Sequence, residues 1–93
     1  MKRSFRWVEI WLAFKQIHDV LMIRVEAKAP TDVDMPDNYT RMGRVDKKGN
    51  LLYHSEWFNT IHEAEAEAIN LAQTLIFNKH KTMFLRELRK CTE

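Results

Sequence analysis

The chain is short of the residues that break or cross-link a backbone, with two glycines, two prolines and one cysteine in 93 residues. A single cysteine, Cys91, excludes an internal disulfide and a Cys-rich zinc site, and it fits a reducing compartment, with the cytoplasm as the expected location. Gly43 and Gly49 are too few to build a phosphate-cradling loop of the usual kind. Long uncharged runs are missing too: no segment reaches the roughly 18 residues that a membrane-spanning helix needs. Met1, Lys2 and Arg3 lead into apolar residues as a secretion signal does, but Arg6 and Glu9 interrupt the run and no small-residue cleavage site follows. What remains is a globular composition, 45% hydrophobic and 30% charged, well away from the regime of disorder. The length allows a single domain over residues 1–93 with a modest core, near the size at which oligomerisation often adds stability.

The most prominent segment is itself defined by an absence, since residues 5–29 contain no Gly, Pro, Asn or Ser. Trp7, Ile10, Trp11, Phe14, Ile17, Leu21 and Val25 recur there at spacings of three or four, which predicts an amphipathic helix from about Ser4 to about Lys28. Ser4 is placed to cap it, and Pro30 disfavours helix at the residue before it. A second period runs through the same residues. Leu21, Ile23, Val25 and Ala27 alternate with Met22, Arg24, Glu26 and Lys28, so a shorter helix followed by a strand at residues 20–27 is the alternative. An interfacial membrane helix is a poorer reading, because Glu9, Asp19 and Glu26 dilute the basic residues.

Residues 29–38 hold both prolines and three aspartates and show no periodicity, so they form a loop. Asp32, Asp34 and Asp37 lack the Gly and Glu that a calcium loop needs at later positions. Residues 39–46 and 51–57 flank Lys47, Lys48, Gly49 and Asn50, a turn signal that predicts a β-hairpin. Trp57 and Phe58, at its exit, are expected to help bury the hairpin against the following helix; as successive residues they point to opposite faces of a strand, so at least one of them enters the core. Asn59 or Thr60 caps that second helix, with Glu63 at capping-box spacing from Thr60. Ile61, Ala64, Ala68, Leu71 and Leu75, then Phe77, Phe84 and Leu88, form its stripe. A helix from Thr60 to Lys90 spans about 45 Å, so it either bends near residues 78–81 or extends against a second copy. The expected fold class is α+β: long N-terminal helix, hairpin (with a third strand at 20–27 in the alternative), long C-terminal helix.

No enzyme is expected. His62 and Glu63 begin like a zinc-protease helix, but Ala66 stands where the second ligand belongs. His80 shares a helix face with His62 but lies about 27 Å away, and His54 and His62, with Glu56 or Glu65, form an incomplete constellation where the hairpin meets the helix; no catalytic residue, metal site or cofactor is expected. Charge is distributed unevenly, +3 over residues 1–28, −3 over 29–38, +2 over 39–59 and zero over 60–93. These features point to a small non-enzymatic binding protein, an adaptor or inhibitor of the kind phages and mobile elements often encode, which contacts another protein and forms a homodimer. Trp7, Trp11, Arg41, Arg44, Lys47 and Lys48 are its expected partner contacts. The alternative is nucleic-acid binding, with Lys79, Lys81, Arg86, Arg89 and Lys90 joining the hairpin on phosphates. With a strand at 20–27, the order helix, three strands, helix resembles the double-stranded RNA-binding domain. That family places lysines at the start of its last helix, whereas the matching residues here are Glu63, Glu65 and Glu67, which repel phosphate.

Overall fold

The computed structural model describes the backbone of residues 8–92 and the side chains of residues 8–78. Four antiparallel strands, β1 (Glu9–Ile17), β2 (Val20–Ala29), β3 (Thr40–Arg44) and β4 (Leu51–His54), form one sheet in the order β1-β2-β4-β3. One helix among the described residues, α1 (Ile61–Thr92), follows and packs across β2 and β1.

The long N-terminal helix is therefore absent. Its residues form a β-hairpin in which Glu9 lies opposite Lys28 and Ile17 opposite Val20. The turn consists of His18 and Asp19, both left-handed at φ of 49° and 64°. Two positive φ values in a two-residue loop match the twist of the flanking strands, and Asp tolerates that conformation through its short polar side chain. Once the chain reverses, the period of two governs. Ile10, Leu12 and Phe14 share a face with Ala27, Val25 and Ile23, while Trp11, Ala13 and Lys15 share the other with Glu26, Arg24 and Met22. The strand alternative at 20–27 falls inside β2, but among the described residues a strand, β1, and no helix precedes it, so the likeness to the double-stranded RNA-binding domain does not hold.

The core lies between the sheet and α1. Ile23, Val25, Ala27 and Ala29 are fully buried along one side of β2, and Leu71 and Leu75 of α1, with Tyr39 and Tyr53, close over Val25, Ala27 and Ala29. Ala64 is buried and Ala68 partly so, which lets the helix approach closely; from the same predicted stripe, Ile61 and Phe77 remain exposed. Thr60 is the N-cap: its Oγ1 accepts the Glu63 amide at 3.2 Å and donates to Glu63 Oε1 at 2.8 Å. The helix then runs on as one element past residue 78 without a break.

Beyond β4 the chain continues along β2 with a local irregularity. Ser55 N–H donates to the Val25 carbonyl at 2.9 Å, and Ile23 and Phe58 exchange two backbone bonds at 2.9 and 2.6 Å. Between these the register slips by one residue, so the Val25 amide has no carbonyl opposite it. The Ser55 hydroxyl takes that place, accepting the Val25 amide at 2.9 Å and donating to the Glu56 carbonyl at 2.8 Å. This is why a serine lies 2% exposed at a core position.

Candidate functional site

Two surfaces of the sheet carry the chain's chemistry. The first is the face turned away from α1. Glu26 stands at its centre: Oε1 accepts Trp11 Nε1 at 3.0 Å, and Oε2 is gripped by Arg24 through Nε at 2.9 Å and Nη2 at 2.8 Å. Trp57 stacks beside this pair, its ring centre 4.5 Å from the Arg24 guanidinium and 5.0 Å from Lys15 Nζ. Cation and aromatic face attract each other there, and the ring shields the ion pair from water. Trp57 thus lies on the face opposite α1, while Phe58, whose backbone pairs with Ile23, follows the core side, so the two successive residues divide between the faces and only Phe58 is on the side of the helix. Lys28 reaches Glu9 at 2.8 Å and Asp46 at 3.9 Å. The hydrogen bond that Lys28 donates to the Glu9 carboxylate, then the Glu9 charge, holds the Lys28 ammonium above its ordinary pKa. Lys15, Arg24 and Lys28 are all engaged.

The second surface is the β3–β4 hairpin. Arg41 and Arg44 on β3 and Lys47 and Lys48 in the turn are all exposed, and among the described residues none of the four pairs with an acidic side chain. Their scaffold is well tied. Asp46 Oδ1 accepts the amides of Lys48 and Asn50 at 3.1 Å each, and Oδ2 accepts Asn50 Nδ2 at 2.8 Å. The Asn50 side-chain bond is the main reason the Asp46 carboxyl is held below its ordinary pKa. Gly49 supplies the positive φ of 89° that the turn requires, and Val45 N–H closes the hairpin onto the Asn50 carbonyl at 2.9 Å. Behind the turn, Tyr53 is buried in the core.

The remaining sequence-derived residues are scattered. Trp11 is on the outer face with its indole bound to Glu26, not on a helix. Trp7 lies outside the described residues, as do the side chains of Lys79, Lys81, Arg86, Arg89 and Lys90, whose backbone belongs to α1. His54 Nδ1 bonds the Ser55 carbonyl at 2.8 Å, whereas His62 is exposed on α1 beside Glu65 at 3.9 Å. Among the described residues no three His, Cys, Asp or Glu side chains come together as a metal site, and no helix is long and apolar enough to cross a membrane. No protein family, curated protein or solved structure matches this chain.

Sequence reasoning missed the Trp57, Arg24 and Lys15 group because it placed Lys15 on a helix. The signal that could have found it was the alternation through Arg24, continued backward across His18 and Asp19.

Proposed function

We propose that this protein is a small non-enzymatic binding protein, an adaptor or inhibitor, that contacts an acidic surface of another protein through its β3–β4 hairpin. The observation that carries the reading is four exposed cations on one hairpin, Arg41 and Arg44 on β3 and Lys47 and Lys48 in the turn, which Asp46 ties through the amides of Lys48 and Asn50. A fixed turn loses little conformational freedom on binding, so its charges serve association and specificity. The same cations suit phosphate, but a nucleic-acid groove needs a basic track. On the adjoining sheet face Lys28 and Arg24 are neutralised by Glu9 and Glu26, and Lys15 is held over Trp57, so among the described residues no basic track continues from the hairpin. The single cysteine favours a reducing compartment, and the cytoplasm is the proposed location.

The test compares the wild type with an Arg41→Glu, Arg44→Glu double variant. Cross-linked capture from the native host's cytosol identifies the partner, and binding to generic duplex DNA and RNA is measured at several salt concentrations. The expected result is a melting temperature close to wild type, loss of the captured protein through slower association, and weak nucleic-acid binding in both forms. Tight nucleic-acid binding that falls steeply with salt and disappears in the variant would overturn the reading in favour of phosphate contact.

A further inference from the structure

β1 is an edge strand among the described residues, and it is an unprotected one. β3, at the opposite edge, is five residues long, has a register shift between Arg41 and Gly43, and carries two arginines, all of which discourage further pairing. β1 is nine residues long, and the pairing reaches every residue of it without a shift. The direction of its free backbone groups follows from β2. Ile23 and Val25 turn their amides and carbonyls toward residues 55–58, so Arg24 and Glu26 turn theirs toward Ala13 and Trp11. Ile10, Leu12, Phe14 and Gln16 therefore point theirs out of the sheet.

We propose that this edge is an interface for a second copy of the chain, the two β1 strands pairing antiparallel about a twofold axis at Leu12. That register sets outward-bonding residues against each other, as antiparallel pairing requires. On the helix-facing side it places Leu12 against Leu12 of the second copy and Ile10 against Phe14, two apolar pairs that cover a Phe14 now 55% exposed. On the other side it places bulky Trp11 against small Ala13, and Glu9 against Lys15. Each of the last three contacts occurs twice by symmetry, which is the self-complementarity a twofold interface needs. Moving the axis to Ala13 instead sets Ile10 against Gln16 and Glu9 against Ile17; moving it to Phe14 sets Leu12 against Gln16 and Ala13 against Lys15. Both bury mismatched pairs.

The helix supplies a second, independent observation. Glu67 reaches Tyr39, next to β3, with a 2.7 Å bond, so that flank of α1 faces the β3 side of the sheet. At 100° per residue, Ile69 and Ile76 fall on the opposite flank, toward β1, and they are 59% and 48% exposed. Continuing the sheet through β1 brings a second α1 alongside on the same face, with those isoleucines turned toward each other.

The test uses the full chain. Sedimentation equilibrium at micromolar to tens of micromolar concentration is expected to show a dimer. In a Cys91→Ser background, Leu12→Cys is expected to form a disulfide between copies on mild oxidation. Ile10→Cys and Phe14→Cys are not, since a displacement of four residues parts like positions by about 13 Å. Lys15 is exposed, so Lys15→Glu should fold, and the dimer's dissociation constant should rise about tenfold, with most of that recovered by adding Glu9→Lys. A monomer at tens of micromolar, including one that instead accepts a strand from a different protein, would overturn the proposal, as would a dimer that cross-links better through residue 10 or 14.

Discussion

Replacing Ser55 with Ala tests whether the chain after β4 is held as described. The hydroxyl is the acceptor for the Val25 amide, and Val25 is fully buried, so no water can substitute for it. Alanine has nearly the same volume but leaves that amide without an acceptor, and the Glu56 carbonyl loses its donor as well. An orphaned buried donor costs about 1 to 3 kcal/mol. For a 93-residue domain, whose whole stability is about 5 to 14 kcal/mol, that loss is large, and it corresponds to a fall in melting temperature of roughly 5 to 20 °C. Urea and thermal unfolding followed by circular dichroism give the magnitude. Hydrogen exchange at the Val25 amide gives the location, since that proton should lose protection ahead of its neighbours in β2. If Ser55→Ala melts with the wild type and the Val25 amide stays protected, another acceptor faces it, and the slipped register between residues 55–58 and β2 is wrong.

Tyr39 is the pH-sensitive member of the core: burial first, then its bond to Glu67, pushes the phenol above its ordinary pKa. The stability it contributes is complete below the unfolded value of about 10 and falls as pH rises above it, because the unfolded chain then releases a proton that the folded one keeps; Tyr39→Phe should lose about 1 to 2 kcal/mol at neutral pH and be flatter in urea titrations on the alkaline side. Asp46 acts in the opposite direction, since its lowered pKa contributes stability above the unfolded carboxylate value that disappears as pH falls through and below about 4. Asp46→Ala should remove that acid dependence and loosen the turn, read as faster amide exchange at Lys48 and Asn50, while leaving α1 intact.

Where the physics is local, the sequence determined the structure. Lys47, Lys48, Gly49 and Asn50 form a hairpin turn because a glycine tolerates positive φ there and Asp46 can bond the amides that follow it. Thr60 starts α1 because its hydroxyl reaches the Glu63 amide, and Ala64, Leu71 and Leu75 face the core as their spacing predicts, although Ile61 and Phe77 of the same stripe do not. The exposure of Arg41, Arg44, Lys47 and Lys48 was equally readable, since four cations flank a turn that holds one acid, Asp46, and long charged side chains there stay in water. The first thirty residues were decided elsewhere. Trp7, Ile10, Trp11, Phe14, Ile17, Leu21 and Val25 satisfy a helical period, and the reversal at His18 and Asp19 contains no glycine, proline or asparagine to announce it. A period of two is rewarded only when neighbours exist on both sides, and those neighbours are distant in the chain: residues 51–58 pair with β2, and α1 covers Ile23, Val25, Ala27 and Ala29. The choice of strand over helix, the role of Ser55 as a substitute acceptor, and the long edge of β1 all depend on contacts that form only once the hairpin, the sheet and the helix are assembled, which is why only the tertiary structure could decide them.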